Sequence, residues 1–245
     1  MKFKIEEYSM NAWPALNTYL YDGWIIRFSN GYTKRANSIN LINKSKINII
    51  EKIEFCEKLF KNQKLPVVYK IIGTEESKEI DLKLESLNYE KIDLTSVQIL
   101  NHIPVYFKKS INLIIESKFT DDWIYGLINC SKINLEHTET VKAMLKNILS
   151  DVIVVQVRHN NEIIGCGYGA IEDEYVGIFD IIVKEEHRRK GYGKEIVENI
   201  LREAADRGIS KSYLQVVSNN YPAVKLYKDL GFEEYYKYWY RRKVV

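Results

Sequence analysis

The chain is poor in the residue patterns that mark metal, disulfide or membrane proteins. Its three cysteines, Cys56, Cys130 and Cys166, are widely separated and form no Cys-x-x-Cys pair, which argues against a disulfide framework or a zinc site and for a reducing compartment. His102, His137, His159 and His187 have no metal-ligand spacing, so no metal is expected. No apolar run approaches the length of about 18 residues that a membrane helix needs, and MKFKIEEYSMNAW puts acidic residues where a secretory leader needs an apolar stretch. A cytoplasmic protein without membrane association is the expectation. Charge of one sign is also scarce. Against 33 Asp and Glu stand 36 Lys and Arg, for a net charge of +3. Nucleic-acid binders concentrate positive charge more heavily, and the short runs Arg188-Arg189-Lys190 and Arg241-Arg242-Lys243 are too little to predict one.

What the chain has is apolar and aromatic substance. Its 245 residues are 46% hydrophobic, enough for one large or two small cores. The 18 Tyr and 8 Phe are scattered through strand-like and helical stretches, as packing residues are. In the first half, GWIIRFSNGYTKRANSINL reads as two strands joined by a turn at Ser29-Asn30-Gly31. A helix with Ile49, Ile53, Cys56, Leu59 and Phe60 on one face follows and stops before Pro66. Then come a strand from Val67 to Ile72, a helix carrying Ile80, Leu84 and Leu87, and a strand near Thr95 to Leu100. After a connector around Asn101 to Lys109, the second half shows a helix from Leu135 to Leu149 and strands at Val152 to Val157 and Ile163 to Ala170. A turn at Glu172-Asp173-Glu174 leads to a further strand, and the chain ends strand (Tyr213 to Val217), helix (Tyr221 to Leu230), strand (Glu234 to Arg241).

The segment IFDIIVKEEHRRKGYGKEIVENILREAADRG holds the most chemistry. A buried strand empties into Arg188-Arg189-Lys190-Gly191-Tyr192-Gly193, which opens a helix with the apolar stripe Ile196, Val197, Ile200, Leu201 and Ala204. The first N–H groups of a helix have no intrahelical partners, so a phosphate placed there gains hydrogen bonds and a favourable dipole, and glycines let the backbone come close. Downstream, NYPAVKLYKDLGF runs from Asn220 to Phe232. The first motif (Arg188, Gly191, Gly193) and the second (Asn220, Ala223, Leu226, Tyr227, Leu230, Gly231, Phe232) together resemble the GNAT superfamily of acyl-CoA-dependent N-acyltransferases.

The resemblance implies a mixed α/β protein with a GNAT-like acyl-CoA N-acyltransferase fold, a twisted mixed sheet whose central parallel strands splay apart. The donor, acetyl-CoA, would lie in that splay. Its pantetheine arm would be held by the main chain of Ile181 and Val183, and its diphosphate by the N–H groups from Arg189 to Lys194 (Arg189, Lys190, Gly191, Tyr192, Gly193, Lys194), with charge-assisted contacts from Arg188 and Lys190. Asn220 is expected at the donor too, on the helical face it would share with Tyr227. Tyr227 is the expected general acid. A phenol, with its usual pKa of about 10, is protonated at neutral pH and can give its proton to a departing thiolate. Asp180 lies between Phe179 and Ile181, and strand alternation puts its side chain on the face opposite theirs. A carboxylate there serves as a general base, an acceptor anchor, or a partner for a loop or lysine.

The resemblance implies acetyl transfer from acetyl-CoA to a primary amine borne by a small molecule, by direct attack in a ternary complex. The rivals are another acyl donor or a peptide amino terminus, and a non-catalytic CoA-binding or assembly module. Cys166 has no histidine and carboxylate around it in sequence, so packing suffices for it.

The two halves look like distant copies. Ile80, Leu84 and Leu87-Asn88-Tyr89-Glu90 stand at the offsets of Ala223, Tyr227 and Leu230-Gly231-Phe232-Glu233, with Asn88 able to adopt the left-handed conformation of Gly231. Leu84 replaces the tyrosine and no basic glycine loop precedes the first helix, so residues 1–109 are expected as a degenerate, incomplete GNAT-like domain before a catalytic domain at 110–245. The stretch from Ala12 to Ser38 resembles the opening of two-part acetyltransferases of this kind. Trp13, Trp24 and Trp123 serve as core anchors or acceptor walls. Arg27, Arg35 and Asn37 either read an anionic acceptor or pair locally, and Glu172, Asp173 and Glu174 either attract a cation or form a solvated tip.

Overall fold

The structure is a computed structural model and describes residues 2–43, 46–104, 113–131 and 133–244. The expected boundary at 109/110 and most of the connector before it lie outside these residues. The elements in chain order are α1 (Lys2–Ala12), β1 (Asn17–Tyr21), β2 (Trp24–Phe28), β3 (Ile39–Leu41), α2 (Ile49–Asn62), β4 (Val67–Ile72), α3 (Glu75–Ser86) and β5 (Glu90–Leu100). The second half gives β6 (Leu113–Glu116), α4 (Asp121–Ser131), α5 (Thr138–Lys146), β7 (Asp151–His159), β8 (Glu162–Glu172), β9 (Tyr175–Val183), α6 (Tyr192–Asp206), β10 (Lys211–Val217), α7 (Tyr221–Asp229) and β11 (Glu233–Lys243).

All of the strands join one sheet in the order β1-β2-β3-β4-β11-β5-β10-β9-β8-β7-β6. The halves are interlocked in it. β11, the last strand of the second half, pairs antiparallel with β4, and β5, the last strand of the first half, pairs antiparallel with β10. β5 and β11 pair with each other in the middle. The spacing that lays Leu87-Asn88-Tyr89 on Leu230-Gly231-Phe232 also lays Thr95 on Tyr238, and these two are ladder partners. The local copy of each half is thus related to the other about that pair.

The repeat is equally plain at the helix ends. α3 stops at Asn88 (φ 62°) and α7 at Gly231 (φ 89°), both left-handed. In each, the next N–H returns to the last turn: Tyr89 N donates to Leu84 O and Phe232 N to Tyr227 O, both at 3.0 Å. This closes the orphan carbonyls of the helix end in the same way twice.

Strand alternation sorts the core into two faces. On one, Val68, Ile72, Val97, Ile99, Tyr236, Tyr238 and Tyr240 pack with α1, α4 and α5. On the other, α6 and α7 cover the second half through Ile196, Val197, Ile200, Leu201 and Ala204, all fully buried as the stripe required, while α2 and α3 cover the first half through Ile53, Cys56, Phe60, Ile80 and Leu84.

Four elements, in three places, go beyond the sequence reading. α1 is one, docked by polar contacts: Glu6 pairs with Lys70 and accepts from Tyr236 Oη at 2.6 Å, Gln215 donates to Ser9 Oγ at 2.9 Å, and Tyr168 Oη donates to the Ala12 carbonyl at 2.8 Å. β1 is another, joined to β2 through Asp22 (φ 41°) and Gly23 (φ 83°), a two-residue turn of the kind that matches strand twist. The third is the pair β6 and α4 at the start of the second half. The expected turn at Ser29-Asn30-Gly31 does connect β2 to β3, but the loop is longer than a tight hairpin and includes a 3-10 turn at Lys34–Ala36. Asn37 holds it, its carboxamide oxygen accepting from Ser29 N at 2.7 Å and Gly31 N at 3.0 Å. The expected helix from Leu135 to Leu149 is a 3-10 turn followed by the shorter α5.

Candidate active site at the parting of two parallel strands

β9 and β10 run parallel and pair from Tyr175–Lys211 to Ile178–Leu214, then separate although each continues, β9 to Val183 and β10 to Val217. The edge of β9 beyond Ile178 therefore has no strand partner on the β10 side, and its backbone groups are available to amides entering from outside. Ile181 and Val183 lie on this stretch. A bulge produces the departure. Between the pairs Tyr168–Phe179 and Cys166–Ile182, β9 holds two residues where β8 holds one, and Asp180 takes φ 49°. The single β8 residue is Gly167, where a Cβ would stand 2.4 Å from Ile181 Cδ1 and 3.0 Å from Ile196 Cγ2. The bulge corrects the alternation expected around Asp180: Phe179 belongs to the α1 face and Ile181 to the α6 face, so Asp180 is not opposite both.

At the end of β9 the chain makes a 3-10 turn at Glu185–His187 and reaches α6 through Arg189 (φ 62°) and Gly191 (φ 92°). Gly191 is the N-cap of α6 and has no side chain to cap it. The first turn closes by Glu195 N donating to Gly191 O at 3.1 Å, so the N–H groups of Tyr192, Gly193 and Lys194 precede the ladder and are free of it. The corresponding helix of the first half differs on this point. α2 is capped by Asn48, whose side chain accepts from Ile50 N at 2.8 Å.

Arg188 turns back from the cradle, its Nε donating to Val183 O at 3.1 Å, while Arg189 and Lys190 are exposed. Lys194 is exposed and lies 3.6 Å from Glu198. Asn220 is the N-cap of α7 rather than a position within it; its Oδ1 accepts from Ala223 N at 3.4 Å, so the shared helical face expected with Tyr227 does not arise. Tyr227 is on α7 and 8% exposed. Burial, with the charge of Asp180 adding to it, pushes its phenol up to about 12.

The first half reaches the same place. Arg35, from the 3-10 turn after β2, lies 3.7 Å from Asp180 Oδ1 and stacks over Trp13 at 4.9 Å. Asp180 Oδ2 is buried and has no hydrogen-bond partner among the described residues. Burial raises the Asp180 carboxyl above the usual carboxylate value, and the Arg35 guanidinium opposes that rise. Arg35 also lines a cleft of about 540 Å³ on the α1 face, bounded by Tyr32, Tyr238 and Tyr240 and by Gln215 and Val217 from the diverging end of β10. The cradle helix lies on the other face. The parting of β9 and β10 is thus approached from α6 on one side and from this cleft on the other.

Other sequence candidates go elsewhere. Arg27 is buried and donates to the carbonyls of Met10, Trp13 and Arg35. Trp13, Trp24 and Trp123 are core residues at 3% exposure or less. Glu172, Asp173 and Glu174 stand at the opposite end of β9 and bond Asn11, Lys4 with Tyr8, and Lys211. Arg241 and Lys243 are taken by Asp81, Glu85 and Glu57. Cys166 is buried, as packing required. Among the described residues no group of His, Cys, Asp or Glu could hold a metal ion, and no helix is long and apolar enough to cross a membrane.

The fold is shared with known proteins. A model of the Acetyltransferase (GNAT) family matches residues 123–232. The GCN5-related N-acetyltransferase from Kribbella flavida superposes with a TM-score of 0.70 at 11% identity, over 98% of this chain and 95% of that one. The chain has the GNAT fold, in tandem. A tandem GNAT protein from the clavulanic acid biosynthesis pathway superposes with a TM-score of 0.62 at 11% identity, over 84% of this chain and 74% of that one. In sequence, the chain is 26% identical over 244 residues to YobR of Bacillus subtilis, an uncharacterized N-acetyltransferase, covering 98% of both. The family model matches only the half in which β9 and β10 part, in keeping with the first half's altered helix cap and its Leu84 in place of Tyr227.

Proposed function

We propose that the protein is an acyl-CoA-dependent N-acyltransferase that moves an acetyl group from acetyl-CoA to an amine. The observation that carries this reading is the parting of β9 and β10 beside the glycine-capped start of α6, which offers unpaired backbone to a pantetheine arm and helix N–H groups to a diphosphate. Ile181 and Val183 hold the arm through main chain. Arg189 to Lys194 hold the diphosphate, Arg188 fixes the end of β9, and Asn220 fixes the start of the helix that carries Tyr227. The amine enters from the cleft on the α1 face, gives a proton to Asp180, and attacks the thioester carbon directly. Tyr227 protonates the sulfur as it leaves, and the second proton shed by the acylated nitrogen restores the phenol, so a neutral amide and a free thiol are the products.

Asp180 suits its part because one oxygen faces Arg35 and the other has no partner, while burial lifts its basicity above that of an ordinary carboxylate. Tyr227 suits its part because a phenol held near 12 is protonated throughout the working range. One donor per chain is expected, since α2 is capped by Asn48 and Leu84 stands where the acid would be. The test is release of CoA thiol from acetyl-CoA on addition of a panel of amines. Amine-dependent release is the expected result; donor binding with no release for any amine would favour a non-catalytic CoA-binding module.

A further inference from the structure

The cleft on the α1 face is lined by charge of mainly one sign, and this bears on what it accepts. Lys34, Arg35 and Arg242 contribute to its walls against a lone lining carboxylate, Asp93. Lys34 pairs with Asp93 at 2.8 Å and Arg35 faces Asp180 at 3.7 Å. Arg242, near the end of β11, has no ion-pair partner among the described residues; Glu90, its cross-strand neighbour in β5, is exposed and makes no ion pair with it. Its neighbours along the strand, Arg241 and Lys243, are both matched to carboxylates. Tyr240 and Tyr238 line the same cleft.

Resting on the acyl-transfer reading above, we propose that the acceptor is a small amine carrying an anionic group, a carboxylate or a phosphate, that docks against Arg242 while the amine reaches Asp180. A guanidinium presents a donor fork that matches either anion. Asp180 is not on the cleft wall but lies 3.7 Å behind Arg35, which is, and its unpartnered Oδ2 receives the amine there. The arrangement selects by repulsion as well. A polyamine or other multiply cationic acceptor would bring its charges against Lys34, Arg35 and Arg242, which disfavours it at the wall that welcomes an anion.

Direct binding measurements separate this from the transfer reading. N-acetylated alanine, leucine and tyrosine are titrated calorimetrically into the full-length protein as free acids and as carboxamides, with N-acetyl-O-phosphoethanolamine for the phosphate arm and spermidine as the polycation, each with and without CoA. The free acids or the phosphate compound should bind at least tenfold more tightly than the carboxamides. Arg242→Glu should abolish the difference and Arg242→Lys retain most of it, with acetyl-CoA binding unchanged in both. Acids and carboxamides binding alike, no anionic probe binding at all, or spermidine binding tightest would each overturn the proposal. Loss of acetyl-CoA binding in the unaltered protein would instead remove the transfer reading, leaving an anion preference measured without CoA to stand by itself.

Discussion

Arg35 of the first half and Asp180 of the second face each other at 3.7 Å across the parting of β9 and β10. The half with the altered helix cap is therefore not a bystander, since it holds one oxygen of the carboxylate assigned as base. Burial raises Asp180 and Arg35 restrains the rise. A base must be ionised to act, so the rate should fall as pH drops through the Asp180 pKa. Removing the guanidinium in Arg35→Gln leaves burial unopposed and should move the acidic limb of the kcat/KM profile to higher pH. Asp180→Asn should lower turnover and abolish that limb. Profiles that coincide for all three proteins would exclude this base.

Tyr227→Phe removes the proton donor and little else, because the ring packs against Phe232 with 6.0 Å between centroids. Turnover should fall by roughly a hundredfold or more, a usual loss for a general acid, with acetyl-CoA affinity nearly intact. As the phenol is held near 12, no alkaline limb from Tyr227 should appear below about pH 11. Steady-state kinetics on the variant decide the matter, and equal turnover would rule out the acid role.

The two glycines of the cradle should differ in their tolerance. Gly191 takes φ 92°, where any other L-residue is strained by about 1–2 kcal/mol, although its surroundings are open. Gly193 has ordinary backbone, and a Cβ there meets Leu226 Cδ2 at 3.7 Å and Val183 Cγ2 at 4.0 Å, both normal contacts. Gly191→Ala should lower stability and weaken acetyl-CoA binding, whereas Gly193→Ala should fold within about 0.5 kcal/mol of the parent. Melting temperatures together with donor titrations would reveal the asymmetry or its absence.

The interlocked sheet makes Arg241 a clamp between halves. From β11 its guanidinium donates to Asp81 at 2.8 and 3.1 Å, to Glu85 at 3.1 Å and to the Tyr89 carbonyl at 3.2 Å. Arg241→Met leaves Asp81 without its cation and should cost about 3 kcal/mol. Burial pushes the Asp81 carboxyl up, and its bonds from Arg241 and Trp239 outweigh this, so its net pKa is below the ordinary value. A depressed folded pKa gives stability that is present above the unfolded value and lost as pH falls through the folded one. Chemical denaturation across that range should show the loss in the parent and much less of it in Arg241→Met.

Local signals carried the sequence reading far. The stripe from Ile196 to Ala204 gave α6, and the shared offsets of Asn88 and Gly231 gave a repeat whose helix ends match bond for bond. Contacts distant in sequence did not show. The buried face of α1 mixes Ile5, Tyr8 and Ala12 with Glu6 and Ser9, whose partners Lys70, Tyr236 and Gln215 are far along the chain, so its apolar period is interrupted and weak. The exchange of β5 and β11 was hidden because either strand alternates equally well beside any neighbour. Asp180 stands out in the sequence as a carboxylate inside an apolar strand, but its bulge depends on Gly167 opposite, and Arg35 meets it only through the sheet.

The most direct test of the central claim is calorimetric titration of the full-length protein with acetyl-CoA, with CoA and desulfo-CoA alongside. The account predicts saturable binding at one site per chain, at the cradle of α6. Absence of binding, or two sites per chain, would contradict it.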